Sequence, residues 1–175
     1  LACFSIGWGF QFFSTLLSHA PIESVARRVI AGDSIKSDAR RRLLPALAAI
    51  ESESVCRPSA LRSVAVIRFM LLGEIVASGQ RKSIDDEQRA LASLVRRSLV
   101  CSPADPFLWL MYYWLETTIN GFKVEYLKYL AMSYTLGQNE GWIGLRRAPL
   151  AFAALSKLPP NVREAAIKEF ADRMV

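Results

Sequence analysis

Histidine is nearly absent from this chain, since His19 is the only one among 175 residues. One imidazole cannot build a zinc site of several histidines within a single chain. The sequence also lacks a metalloprotease HExxH, a P-loop and a GxGxxG dinucleotide fingerprint. We therefore predict no enzyme activity, no catalytic residue, no metal and no cofactor. We interpret His19, at the end of a segment without charges, as an interfacial residue.

Charge is missing from the start of the chain, because no Asp, Glu, Lys or Arg occurs from Leu1 to Ile22. About 20 apolar residues span a bilayer, and this run lies at the short end of that range. The segment predicts a transmembrane anchor over residues 1–20; a signal-peptide core or a buried helix is the alternative. Gly7, Gly9 and Gln11 are expected to pack against other transmembrane helices.

Basic residues are in excess over the rest of the chain, which carries a net charge of +6. They are dispersed in groups rather than gathered in one stripe: Arg27–Arg28, Arg40–Arg42, Arg96–Arg97 and Arg146–Arg147. Dispersion over several segments disfavours nucleic-acid binding. It is compatible with contact to anionic lipid or an acidic polymer.

Strand signals are also nearly absent, whereas apolar residues recur at helical spacing throughout residues 21–175. The sequence therefore predicts an all-α domain over that range. Its clearest helices run from about Pro58 to Ser78 and from Phe107 to Ile119. Ser83 is expected to cap another helix, with Asp85, Asp86 and Glu87 in its first turn. This acidic cluster could alternatively hold a metal ion.

Two of the three cysteines stand near predicted helix boundaries. Cys56 and Cys101 each precede a proline by two residues, at positions where two helix ends could meet. If the domain lies outside the cytoplasm, we predict a Cys56–Cys101 disulfide; two separate buried thiols are the alternative. The bond would close a loop of about 45 residues and contribute roughly 3–4 kcal/mol.

Aromatic residues crowd the helix that begins at Phe107. Core packing is the ordinary explanation of such a pattern, but one helix cannot bury aromatics on opposite sides. We therefore predict that at least one contacts a partner or the membrane surface. The residues of this predicted partner surface are Trp109, Tyr112, Tyr113, Trp114 and Trp142.

A repeat of about 34 residues organises the second half of the chain. Trp109 and Trp142 begin similar helices 33 positions apart, and Asn120-Gly121 separates the intervening helix pair. The pattern resembles the tetratricopeptide repeat, whose period is 34. Gln138 stands where that family usually has proline. The segments PIESVARRVIAGD, SPADPFLWLMYYWLE and LGQNEGWIGLRRAPLA also resemble poorly characterised bacterial envelope proteins, some associated with exopolysaccharide production.

These observations predict a non-catalytic interaction or scaffold protein of a bacterial envelope complex, anchored in the inner membrane by a single span. Its expected partners are the lipid bilayer and other membrane-protein subunits, not nucleic acid. An accessory structural subunit of a larger energy-transducing or transport complex is the alternative, and a small enzyme or nucleic-acid binder is the third. Basic residues after the anchor favour a cytoplasmic domain. The paired cysteines and the resemblance favour the periplasm, which we expect.

Overall fold

The computed structural model describes residues 19–79 and 81–174, and every regular element in these ranges is helical. This confirms the all-α prediction. The elements are α1 (residues 19–30), α2 (Ser37–Ser52), α3 (Pro58–Ser78), α4 (Arg81–Cys101), α5 (Pro106–Asn120), a 3-10 turn (Val124–Tyr126), α6 (Leu127–Leu136), α7 (Gly141–Ala153), a second 3-10 turn (Leu155–Lys157) and α8 (Pro160–Met174).

The predicted transmembrane anchor over residues 1–20 lies almost entirely outside the described residues. Among the helices that are described, none combines the length and the apolar character needed to cross a bilayer. The chain divides into two compact units, Leu1–Ile84 and Asp85–Val175, and the division falls within α4. The predicted bounds of the helical domain, residues 21–175, stay a prediction.

In the first unit, α2 packs against α3 around a buried aliphatic core. The Arg68 guanidinium donates two hydrogen bonds to the Glu51 carboxylate, at 2.8 and 3.1 Å, and thereby joins the two helices. Arg40 and Glu74 form a second ion pair between them. The core side chains include Leu47, Ile50, Leu61, Val64, Ala65, Ile67 and Leu72.

His19 is buried and does not behave as a surface residue. Its Nε2 atom lies 2.8 Å from Glu53 Oε1, and Glu53 ends α2. Arg57 Nε lies 3.3 Å from the other oxygen of the same carboxylate. His19 therefore connects the start of the described chain to the α2–α3 connection, which is a structural role that the sequence did not indicate.

In the second unit, α5 packs against α6 and α7, while α8 packs against α6 and α7. α5 starts with a capping residue followed by proline: the Asp105 carboxylate accepts hydrogen bonds from the backbone N–H groups of Phe107 and Leu108. Fully buried Leu108, Leu115 and Leu130 form the centre of this unit. The consecutive helices α5 and α6 therefore pack against each other, as do α7 and α8, while the repeat itself stays a prediction.

Cys56 and Cys101 are disulfide-bonded, as predicted. The alternative of two separate thiols is wrong for this structure. Cys101 is the last residue of α4, and Cys56 lies in the connection between α2 and α3.

The predicted start of α4 is wrong. The helix begins at Arg81, so Ser83 is not its cap and the acidic residues from Asp85 to Glu87 follow its first turn. Gly79, with a left-handed φ of 75°, ends α3. Because this conformation turns the chain abruptly, the next helix can begin earlier than the capping pattern suggests.

Candidate interaction surface

Helix α7 is held against the start of α5 by an aromatic contact. The rings of Phe107 and Trp142 lie 4.8 Å apart between centroids, with Phe107 buried and Trp142 half-buried. Each residue stands in the first turn of its helix. Tilted aromatic pairs at this distance are favourable beyond the area that they bury. The contact therefore fixes the first turn of α7.

Arg147, in the middle of α7, is completely buried. Its Nε donates to Glu169 Oε2 at 3.1 Å, and its Nη2 donates to Glu169 Oε1 and to the Gly137 carbonyl. Its Nη1 donates to the Ser133 carbonyl at 2.6 Å and to the Ser133 hydroxyl at 3.3 Å. A guanidinium has five N–H donors, so every donor of Arg147 has an acceptor.

The acceptors of Arg147 explain why a cation is tolerated there. The carbonyls of Ser133 and Gly137 lie at the C-terminal end of α6, where the helix dipole is negative. Each carbonyl also accepts a backbone N–H, from Gly137 and Glu140 respectively, so Arg147 uses a second acceptor site of each oxygen. Glu169, on α8, neutralises the charge and is itself buried. The Tyr134 ring lies 3.9 Å from the Arg147 Cζ atom, and burial raises the pKa of the Tyr134 hydroxyl. One side chain thus connects α6, α7 and α8.

An apolar groove runs between α7 and α8 beside this network. It has a volume of about 240 Å³, and we call it the α7–α8 groove. Its lining residues are Gly144, Leu145, Ala148, Pro149, Phe152, Glu169 and Phe170.

The apolar side chains of this groove remain exposed in the isolated chain. Leu145 is 66% exposed, and Phe152 and Phe170 are each 39% exposed. The Phe152 and Phe170 rings contact each other at 4.7 Å, so they form one continuous apolar surface. Glu169 is occupied by Arg147 and does not stand free for acid–base chemistry. What the groove offers is therefore apolar surface beside the buried Arg147 network, and exposed apolar surface of this kind is typical of binding sites.

The predicted aromatic partner surface is only partly accessible. Tyr112 and Tyr113 are buried, whereas Trp109, Trp114 and Trp142 keep part of their surface exposed. The role of these residues in partner contact stays a prediction, now concentrated on the three tryptophans.

Trp109 and Tyr112 also have contacts within the second unit. Trp109 Nε1 donates to the Pro103 carbonyl at 2.7 Å, and its ring stacks on Tyr129 at 5.9 Å. The Tyr112 hydroxyl accepts a hydrogen bond from Arg96 Nε at 3.2 Å. The Trp109–Tyr129 contact joins α5 to α6, and the Arg96–Tyr112 hydrogen bond joins α4 to α5.

The other predicted site residues have different outcomes. Gly7, Gly9 and Gln11, expected to pack in the anchor, lie outside the described residues. Within the part of the chain that is described, no three His, Cys, Asp or Glu side chains are grouped so as to hold a metal ion. In the acidic segment of α4, Asp86 pairs with Arg89 at 2.7 Å on the exposed surface.

Sequence reasoning missed the Arg147–Glu169 pair, although a signal was present. Ile143, Arg147 and Ala151 follow one another at intervals of four, and all three have no exposed surface. Residues spaced by four lie on one face of a helix. An arginine between two apolar residues at that spacing indicates a buried cation, and such a cation needs a carboxylate partner.

Comparison with known proteins gives no match to the chain among family models, curated proteins or solved structures. The function is therefore argued from the chain's own residues.

Proposed function

We propose that this protein is a membrane-anchored, non-catalytic interaction protein of a bacterial envelope complex, and that its partner binds in the α7–α8 groove. The observation that carries the proposal is the exposed apolar surface of Leu145, Phe152 and Phe170. Exposed apolar residues that adjoin one another on a rigid support are typical of binding surfaces. Burial of Arg147 provides that support.

The partner that suits the groove is an apolar helix of another membrane-protein subunit. Gly144 and Ala148 line the groove between the larger side chains, so a helix backbone can approach closely. α5 and α7 begin 35 residues apart, and α6 and α8 begin 33 residues apart. This spacing supports a tetratricopeptide-like arrangement, in which stacked hairpins present surfaces to partners.

The anchor and the compartment are argued from sequence. The run without charges from Leu1 to Ile22 supports a single span. The Cys56–Cys101 disulfide supports an oxidising compartment, and therefore a periplasmic domain. A link to exopolysaccharide production rests on the resemblance of three sequence segments alone.

Site-specific photocross-linking in native membranes tests the proposal. A photoreactive residue at Leu145 should give one discrete heavier adduct, because the partner covers this position. The same residue at Val100, which is 83% exposed on α4, is the matched control and should give none. Phe170→Glu should abolish the Leu145 adduct, since a charge in the groove disfavours an apolar partner. Equal labelling at both positions, or none at Leu145, would refute the groove as the binding surface.

An alternative is an accessory subunit of an energy-transducing or transport complex that assembles through its anchor. The favouring observation is the presence of Gly7, Gly9 and Gln11 within the segment without charges. Gly7→Leu with Gly9→Leu should then release the protein from its complex in mild detergent, while Phe170→Glu should leave the complex intact. Release by Phe170→Glu, with the complex intact in the glycine double variant, would instead support binding through the α7–α8 groove.

A further inference from the structure

A second depression lies in the first unit, between α1 and α2. Two adjoining cavities, of about 290 and 530 Å³, share Val25, Lys36, Ala39 and Leu43 in their walls. We call this combined depression the α1–α2 cleft. It is larger than the α7–α8 groove and belongs to the other compact unit.

The walls of the α1–α2 cleft are mainly aliphatic. Ile22, Val25 and Val29 of α1 line one side. Ala39, Leu43 and Ala46 of α2 line the other. Burying an apolar chain between these walls would be favourable, because it would remove apolar surface from water on both sides.

The rim of the cleft is basic. Arg28, Lys36 and Arg42 contribute to its lining. Arg28 pairs with Asp33 at 2.8 Å. Lys36 and Arg42 are exposed, and neither has a carboxylate within ion-pair distance among the residues that the structure describes. Two positive charges therefore remain available at an apolar cleft.

The distribution of charge over the chain favours an anionic ligand at this unit. Residues 1–84 contain eleven Lys and Arg against six Asp and Glu, which gives +5 of the total net charge of +6. The two carboxylates that line the cleft already have basic partners, since Asp33 pairs with Arg28 and Asp38 accepts a hydrogen bond from Arg41. The field around the cleft is therefore positive, and an anion is attracted to it.

We propose that the α1–α2 cleft binds an anionic phospholipid, with the phosphate between Lys36 and Arg42 and an acyl chain along the aliphatic walls. A neutral lipid would leave both cations unmatched. An acidic polymer would match them but leave the apolar walls in water. Pro21 and Ile22, which line the cleft, end the segment without charges, so the cleft adjoins the part of the chain with the greatest affinity for a bilayer.

Native mass spectrometry of the full chain in mild detergent tests this inference. The probes are phosphatidylglycerol and phosphatidylcholine with identical acyl chains, and the measured quantity is the retention of each. Each basic residue near an anionic lipid contributes to the binding free energy of that lipid. Two such residues together change the affinity for the lipid about thirtyfold. We expect wild type to retain phosphatidylglycerol preferentially, and Lys36→Ala with Arg42→Ala to remove this preference.

Lys157→Ala with Lys168→Ala is the matched control. It removes the same charge from exposed positions of the second unit and should keep the preference for phosphatidylglycerol. If both double variants lost the preference for phosphatidylglycerol equally, the proposed site would be overturned, because the net charge of the protein alone would then attract the lipid. Equal retention in all proteins would overturn it too, because lipid would then be held elsewhere.

Ala39→Phe tests the acyl part of the site. Ala39 is exposed and lines both cavities, so a phenyl ring there fills the cleft and leaves the basic rim unchanged. Retention of phosphatidylglycerol should fall, with unchanged circular dichroism. Displacement of the lipid by millimolar inorganic phosphate would identify a simple anion site and overturn the proposal. The inference does not depend on the α7–α8 groove, and Phe170→Glu should leave lipid retention unchanged.

Discussion

At the scale of single residues, Arg147 decides how the second unit is held together. Its guanidinium donates hydrogen bonds to two other helices, namely to carbonyls at the end of α6 and to the Glu169 carboxylate on α8. A buried ion pair is not in itself a large net stabilisation, because both charges lose their hydration. Removing one partner is costly, however, since the other charge stays buried without compensation.

Arg147→Met should lower the free energy of unfolding by about 3–5 kcal/mol, because it leaves the Glu169 carboxylate buried and unpaired. Chemical denaturation followed by circular dichroism measures the change. Lys168→Ala, at an exposed neighbouring position, is the control and should change stability by no more than about 0.5 kcal/mol. Arg147→Met with Glu169→Leu should recover part of the loss. A cost below about 1 kcal/mol for Arg147→Met would contradict the role of the pair.

Glycine is required at position 137 because the backbone there lies close to Pro106, and not because of its backbone dihedral angles. A Cβ atom at this position would lie 2.7 Å from Pro106 Cβ and 2.8 Å from Pro106 Cγ. The backbone φ of Gly137 is −125°, which other residues adopt readily. The end of α6 therefore reaches the start of α5 only because no side chain intervenes.

Gly137→Ala should destabilise the protein by about 1–3 kcal/mol, because the proline ring has to move. The matched control is Gly73→Ala in α3, where a Cβ atom would meet nothing within 4 Å. That change should instead stabilise the protein by about 0.5–1 kcal/mol, since glycine is a poor helix former. Thermal unfolding of the two variants shows whether each change raises or lowers the stability of the protein. A shift in the same direction for both would contradict the steric argument.

At the scale of helices, local sequence accounts for most starts and buried faces. α3 begins at Pro58, as the sequence predicts, whereas α5 begins at Pro106, one residue before the predicted start at Phe107. On α3 the apolar residues Leu61, Val64 and Leu72, which recur at helical spacing, are buried. Val76 continues the same spacing but is 48% exposed. Burial of a helix position therefore requires a neighbouring element as well as the correct spacing.

Asp105→Ala should reduce stability by about 1 kcal/mol, because the N–H groups of Phe107 and Leu108 lose their acceptor. Asp105→Asn is the conservative variant and should retain most of the stability, since its amide oxygen can accept the same hydrogen bonds. Urea denaturation monitored by tryptophan fluorescence measures both variants. If asparagine proves as harmful as alanine, charge and not capping is the cause.

At the scale of the whole molecule, the two compact units differ in charge. Residues 1–84 have a net charge of +5. Residues 85–175 include eleven basic and ten acidic residues, so this unit is nearly neutral. The basic unit contains the α1–α2 cleft and the nearly neutral unit contains the α7–α8 groove. The charge difference matches the two proposed partners, an anionic lipid and an apolar helix.

Reduction of the Cys56–Cys101 disulfide should lower the free energy of unfolding by about 3–4 kcal/mol. The reason is that the unfolded chain regains the conformational freedom of a loop of about 45 residues. Denaturation with and without dithiothreitol measures the change. Cys56→Ser with Cys101→Ser should show the lower stability without reductant and no further response to it. Alkylation of both cysteines in the native, unreduced protein, seen as a mass shift, would exclude the bond.

The sequence by itself determined the helical class and the start of α3, placed the start of α5 within one residue, and offered the pairing of Cys56 with Cys101 as one of two alternatives. These features depend on local signals: periodicity, proline and the position of cysteines at helix boundaries. Such signals act over one or two helical turns, so they can be recognised without the fold.

Only the tertiary structure decided where the exposed apolar surface lies and which charges are paired. Phe152 and Phe170 are 18 residues apart, and Arg147 is 22 residues from Glu169. Their contacts exist because α7 and α8 pack side by side, and no local pattern specifies that geometry. The same reason separates Arg147, which is buried and paired, from Lys36 and Arg42, which remain exposed beside an apolar cleft. Whether a charge stabilises the fold or meets a ligand depends on what the other helices bring next to it.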